Sequence, residues 1–223
     1  MRNGQRHYLQ HIKHNMSLLD KIVANIAPHD CLGCGAEGAL LCRPCLAALP
    51  PLPVPLQPHG LLYRVQARTV YRGVAKQLIW KLKSAGAQAA AEVMAAGMVA
   101  LLPAGERPVI VSVPTATGRV RQRGYDQAQL LGRQLARQAR LPWLACLARS
   151  GQLHQVGANR QQRRWQLHDS LRVTQRRFVR GAHIVLIDDV YTTGATLEAA
   201  AEVLIKAGAA RVDGLTFAYT ILE

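Results

Sequence analysis

Two adjacent carboxylates, Asp188 and Asp189, follow the apolar run Ile184-Val-Leu-Ile187. Next come Thr192, Thr193, Gly194, Ala195 and Thr196, all small and mostly hydroxylated. A turn of small residues lets the backbone approach a ligand. Its N–H groups converge at a helix start, where the helix dipole adds partial positive charge, so the spot suits a phosphate. The Thr hydroxyls add donors. The carboxylates would repel that phosphate, so they are expected to face sugar hydroxyls, directly or through a metal. A phosphorylated ribose offers both parts. The competing interpretation is a Thr-capped helix entry with solvated acids. Capping requires one such residue, whereas the pattern here runs from Ile184 to Thr196. No Gly-Lys-Ser/Thr accompanies it, which argues against a P-loop.

Arginines form the second constellation. Arg119, Arg121 and Arg123 lie on Pro114–Gly124, read as a loop after the strand Val109–Val113. Loops at the carboxyl ends of parallel strands share one crevice, so these side chains could hold a diphosphate there; a solvated basic loop is the alternative. Arg160, Arg163 and Arg164 belong to a polar stretch, Ser150–Gln166, read as a flap. Trp165 within it would either stack a base or anchor the flap. The chain carries a formal charge of +15, and 14 of its 22 Arg fall between Arg119 and Arg180, opposed there only by Asp126 and Asp169. That concentration points to a polyanionic partner.

Cys31, Cys34, Cys42 and Cys45 form two Cys-x-x-Cys knuckles. Four thiolates on tight turns suit tetrahedral zinc in a closed, structural site. Two disulfides or four separate thiols are the alternatives. Cys146 stands apart in an apolar context and reads as a small buried hydrophobe.

The elements that must position these groups follow from the patterning. Residues 1–27 read as a basic helix with His7, His11 and His14 on one face, either solvated or metal-binding. We expect a zinc knuckle within residues 1–49, a Pro-rich connector at 50–59 and a main domain at 60–223. The main domain would open with a strand at Arg68–Tyr71. A helix over Gly73–Lys83 would bury Val74, Leu78, Ile79 and Leu82, pack Trp80 and leave Lys76, Lys81 and Lys83 wet. A helix over Ala89–Leu102 and another over Tyr125–Arg140 would follow. The run Ile184–Ile187 reads as a parallel strand buried on both faces, Leu197–Ala207 as a helix stopped by Gly208, and Val212–Tyr219 as the strand closing the sheet. The fold class is therefore α/β with a parallel sheet. Hydrophobic residues make up 49% of the chain, which fits a globular core, and no stretch reads as a membrane span or secretory segment. A cytoplasmic location is expected.

Four apolar residues, two acids and a Thr-Thr-Gly-x-Thr turn resemble the phosphoribosyl-diphosphate (PRPP) signature of type I phosphoribosyltransferases. Together with Cys31/34/42/45, the stretch Tyr71–Lys83, Arg123-Gly-Tyr-Asp-Gln127 and Gln155–Arg163, the chain resembles the ComF family of competence proteins. That resemblance implies a phosphoribosyltransferase-like domain behind a zinc knuckle, a role in natural transformation with single-stranded DNA, and a PRPP-type pocket. Tyr125 and Asp126 stand where the family commonly has Phe and Asn, and Ala158 and Gln166 replace Leu and Asn. Two functions follow. As a DNA-binding protein, Arg119, Arg121, Arg123, Arg160, Arg163 and Arg164 would meet phosphates while Tyr125 or Trp165 stacks. As a transferase using PRPP and Mg²⁺, Thr192–Thr196 would hold the 5′-phosphate, Asp188 and Asp189 the ribose hydroxyls, and Arg119, Arg121 and Arg123 the departing diphosphate. Other competence proteins are expected partners.

Overall fold

In the computed structural model, residues 29–84, 86–149 and 170–221 are described. The helix expected over residues 1–27, the 150–166 stretch and with it Arg160, Arg163, Arg164 and Trp165 lie outside them. Four parallel strands form the sheet: β1 (Arg64–Val70), β2 (Val109–Ser112), β5 (His183–Tyr191) and β6 (Arg211–Tyr219), in the order β1-β6-β5-β2. A two-stranded antiparallel ribbon, β3 (Leu147–Arg149) with β4 (Leu171–Val173), stands beside it.

The run Ile184–Ile187 behaves as its composition dictates, with each residue at most 1% exposed. Successive strand residues face opposite layers. Val185 and Ile187 join Leu215 and Phe217 in a core covered by α2 (Gly73–Leu82), α3 (Ala87–Met98) and α5 (Gln127–Ala139). Ile184, Leu186 and Val212 join the core under α7 (Ala195–Lys206). The sheet is thus sandwiched between helices on both faces, the arrangement a fully apolar parallel strand requires.

The strand expected to close the sheet is interior instead. β6 pairs with β1 on one side and β5 on the other. Its continuous burial from Val212 to Ala218 is the pattern of a central strand. Pro114–Gly124 also differs from expectation, since Thr117–Arg123 is a helix, α4, ended by Gly124 in the left-handed region (φ 80°). Only Val120 is apolar there, so hydrophobic periodicity could not report the helix. On α2 the buried stripe is Ala75, Leu78, Ile79 and Leu82. Trp80, expected to pack, is off that stripe and 64% exposed.

The four-cysteine segment and its short helix α1 (Arg43–Ala47) dock on the β1 edge. The Arg68 guanidinium donates to the carbonyls of Leu46 (2.7 Å), Leu49 (3.2 Å) and Ala47 (3.3 Å). These acceptors include the orphan carbonyls of a helix end, so one side chain caps α1 and holds it to the sheet. Cys31, Leu40, Leu41 and Leu49 share a core with α2 and α3. No helix among the described residues is long and apolar enough to cross a membrane.

Candidate functional site

β5 carries the acidic pair to the carboxyl edge of the sheet. The strand does not stop before Asp188; it runs on to Tyr191, because β6 continues alongside and supplies partners through Tyr219. Alternation then sends Asp189 to the face of Val185 and Ile187, where α2 packs, and Asp188 to the face of Ile184 and Leu186. Asp189 is 7% exposed, and its Oδ2 is met by the Lys83 ammonium at the end of α2. Lys83, expected in water, is therefore a counter-ion of the pair. Burial, and then the Asp189 charge, hold the Asp188 carboxyl well above the usual carboxylate range, with Lys83 opposing them.

The Thr-Thr-Gly turn follows directly. Thr192 and Thr193 are exposed, and Gly194 is buried with φ 79°. A Cβ at Gly194 would collide with the Tyr191 hydroxyl, so glycine is required by space as well as by backbone. Tyr191 is 5% exposed and packs as a wedge beneath the turn, its ring centre 6.0 Å from that of Tyr219. The first backbone-to-backbone bond of α7 runs from Glu198 N–H to Gly194 C=O, at 2.9 Å. The N–H groups of Thr196 and Leu197 are therefore helix-end donors without an intrahelical acceptor. Ala195 N–H lies 3.5 Å from Thr193 Oγ1.

Arg119, Arg121 and Arg123 lie on α4, which follows β2 at this edge. On a helix, positions 119 and 123 share a face and 121 turns away from it. Arg119 and Arg121 are exposed, while Arg123 donates to Gln127 Oε1 at 2.8 Å. Asp126 fixes the junction. Its Oδ1 caps α5 by accepting from the N–H groups of Ala128 (3.0 Å) and Gln129 (3.2 Å), and its two oxygens accept from Thr115 Oγ1 (2.9 Å) and Thr115 N–H (3.0 Å). Tyr125 shares its hydroxyl proton between the carbonyls of Leu82 (2.8 Å) and Ser84 (3.1 Å), which ties α2 to α4.

The arginines concentrated in sequence separate in space. Arg119, Arg121, Arg123 and Arg149 lie toward the carboxyl edge. Arg176, Arg177 and Arg180 surround the short helix α6 (Arg176–Val179) at the amino end of β5. Five residue steps of strand, on the order of 17 Å, separate His183 from Asp188. On α5, Arg133 stacks over Trp143 (4.4 Å) and Arg137 faces Glu92 (3.7 Å).

The four cysteine sulfurs lie within 4.8 Å of one another. Cys31 and Cys42 are 3.6 Å apart and Cys34 and Cys42 3.8 Å. A tetrahedron of Zn–S bonds near 2.3 Å has sulfur–sulfur edges of roughly 3.8 Å, whereas a disulfide needs about 2.05 Å. This donor set can hold a metal ion such as zinc. Backbone N–H groups of Cys42 and Cys34 draw the Cys31 thiol down to about 6, and its hydrogen bond with Cys42 pushes Cys45 up to about 12. Gly33 is obligatory, since a Cβ there would lie 2.7 Å from Cys45 Sγ.

Residues 127–220 match the Phosphoribosyl transferase domain family. The chain is 36% identical over 131 residues to the DNA utilization protein YhgH of Salmonella typhi, covering 55% of this chain and 53% of that protein. It is 37% identical over 109 residues to the competence protein ComFC of Bacillus subtilis (strain 168), covering 48% and 43%. Together these matches support a ComF-family protein. It spans about half the length of the curated relatives it matches. The adenine phosphoribosyltransferase of Thermoanaerobacter pseudethanolicus is similar at 16% identity and a TM-score of 0.39, covering 59% of this chain and 80% of that one.

Two residues of this site are not legible in the sequence. Periodicity places Lys83 on the wet face, because it tells which side a helix buries, not what another element brings against its end. Arg149, at the end of β3, is half-buried and feels both Arg119 and Asp188. Burial, then Arg119, lowers its proton affinity while Asp188 raises it. Its signal in the sequence is a lone Arg closing an apolar run, which is too common to single out.

Proposed function

We propose that this ComF-family protein binds single-stranded DNA in the cytoplasm, in the uptake or use of DNA for which its relatives are named, and that its acidic edge seats a ribose 5-phosphate group. Thr192–Thr196 and the start of α7 would hold the phosphate; Asp188 and Asp189 would hold the ribose hydroxyls of PRPP or a nucleotide. Arg119, Arg121 and Arg123 would meet DNA phosphates. The four cysteines would hold a structural zinc, and other competence proteins would be the partners.

The observation that supports this reading is an acidic pair next to a helix-start turn that is met by Lys83 and felt by Arg149, with Arg119 near Arg149. Cations gathered around carboxylates leave room for an anion to take up the surplus positive charge. Sequence preference should be low, since backbone cations read charge, and affinity should fall steeply with salt. The test is calorimetry of the whole chain with PRPP and Mg²⁺, AMP and an oligothymidylate. Asp188→Asn with Asp189→Asn should abolish PRPP binding and spare the oligonucleotide. Arg119→Glu with Arg121→Glu should do the reverse to the oligonucleotide. A wild-type chain that binds none of these ligands would end the proposal.

A second reading, transfer of ribose 5-phosphate from PRPP to an acceptor, is favoured by the raised Asp188 carboxyl. A carboxyl held up by burial is a stronger base than an ordinary carboxylate. The C1–O bond would break with its electron pair leaving on diphosphate, held by Arg119, Arg121 and Arg123. A bond from the acceptor to C1 would form, and the acceptor's proton would pass to Asp188. Mg²⁺, when bound, would supply charge neutralisation on the diphosphate, and Asp189 is the carboxylate placed to hold it once Lys83 withdraws. Diphosphate release abolished by Asp188→Asn would support transfer; tight PRPP binding without release would leave the pocket a receptor.

A further inference from the structure

Apart from Lys83, the outward face of α2 has no part in that site, yet it lies along it. α2 begins just past Tyr71, whose N–H donates to Tyr219 C=O at 2.8 Å, at the carboxyl end of β6. It ends at Lys83, against Asp189. A helix of 10 residues spans about 15 Å. Three adjacent strands, β1, β6 and β5, span about 10 Å. α2 therefore bridges the carboxyl edge, and its exposed side borders the crevice.

That side is cationic and carries one large aromatic. Lys76, Trp80 and Lys83 recur at the helical spacing of four and three, with Arg72 and Lys81 beside them. No Asp or Glu occurs between Glu37 and Glu92. Trp80 is 64% exposed. The other exposed rings with a cation, Tyr63 and Phe178, sit at the amino ends of strands and are covered by Arg211 at 4.0 Å and Arg177 at 4.5 Å. The Lys81 ammonium stands 5.8 Å from the Trp80 ring centre, at the outer limit of such a contact. A protein-docking helix presents an apolar row at spacings of three and four. Here a single indole stands among cations. That combination of an open π-face and phosphate-neutralising charges is what an unpaired nucleotide strand needs.

We infer that Trp80 is a base-stacking residue, and that single-stranded DNA runs along α2 with its phosphates on Arg72, Lys76 and Lys81. The inference rests on the DNA-binding reading above and adds to it the residue that grips a base. Stacking requires an unpaired base, which separates this contact from simple charge attraction.

The test is fluorescence anisotropy of the whole chain at one salt concentration. Two labelled probes are used: a 15-nucleotide oligothymidylate and a strand of equal length built from abasic residues. Trp80→Ala should weaken oligothymidylate binding by about tenfold, within the range for one stacked base. Trp80→Phe should recover most of the loss. The abasic strand should bind wild type and Trp80→Ala alike. Unchanged oligothymidylate affinity in Trp80→Ala overturns the inference; if Arg119→Glu with Arg121→Glu then abolishes binding, the DNA reading itself stands. Equal weakening toward both probes means that the substitution acts through the fold, and it overturns the assignment too. So does a loss of self-association on gel filtration with oligothymidylate affinity intact, which would make Trp80 a protein contact. A wild type that binds neither probe removes both readings.

Discussion

Lys83→Met is the sharpest probe of the acidic pair. The substitution keeps an aliphatic stem of similar reach and removes only the ammonium. Unit charges about 4 Å apart at an effective dielectric of 20 attract by roughly 4 kcal/mol. Removing one partner of a fully buried pair costs about 3–5 kcal/mol. The Asp189 side chain is 10% exposed but that of Lys83 is 31% exposed, so solvent screening reduces the figure. We expect a loss of about 2 kcal/mol, or a fall in Tm of about 4–8 °C for a chain of this size. The pH dependence follows from Asp188. Lys83 lowers its proton affinity in the folded state, against burial and Asp189. Without Lys83 the folded Asp188 holds its proton to still higher pH, while the unfolded state is unchanged. The part of the deficit that comes from Asp188 is therefore absent while both folded forms keep that proton, and it grows as pH rises through the wild type's raised folded pKa, above the ordinary carboxylate value of about 4. Denaturant melts of both proteins at pH 4 and pH 8 measure this. Adding Asp189→Asn should recover most of the deficit. A deficit of equal size at both pH values, or none at pH 8, would refute the reasoning.

Gly33→Ala should weaken metal retention at least tenfold against a chromophoric chelator, because the new methyl displaces Cys45 Sγ from the tetrahedron. Gly194→Ala should cost about 2–4 kcal/mol, combining left-handed backbone strain with a collision against Tyr191, and should abolish binding of ribose phosphates; calorimetric melting and titration check it. Tyr125→Phe should cost about 1 kcal/mol by chemical denaturation, since the hydroxyl serves the α2 carbonyls. Arg119→Glu with Arg121→Glu should flatten the slope of log affinity for single-stranded DNA against log salt by roughly 0.7 for each phosphate that is no longer neutralised.

The central strand, the helix after it and the four-cysteine cluster were legible because each depends on residues adjacent in sequence. Ile184–Ile187 can only be buried on two faces, and Gly208, with φ 99°, ends α7 where a left-handed residue is needed. What escaped was set by partners far along the chain. The extension of β5 past the acids depends on β6, and the interior place of β6 depends on β1. The α4 helix buries no residue and so carries no apolar stripe to read. Trp80 reads as core by residue type alone. Its place is decided by Ala75, Leu78, Ile79 and Leu82, which fill the buried stripe and leave position 80 outside it.

The same geometry explains why an acidic pair persists inside a chain of net charge +15. A lone buried carboxylate would neutralise itself by taking a proton, and Asp188 moves that way. Asp189 instead meets an ammonium carried on the end of a helix that crosses the carboxyl edge. The pair thus depends on a cation that has another task within reach, because Lys83 sits one turn from Trp80 on a face that carries no acid. An anion seated at the Thr-Thr-Gly turn, as proposed, would compete with Asp189 for that ammonium, and a divalent cation would compete with the ammonium for Asp189. Each ligand would then ease the entry of the other. Parallel strands supply the condition for this, because they bring β5, β6 and the helices that follow to one edge, where charges from four separate segments balance one another.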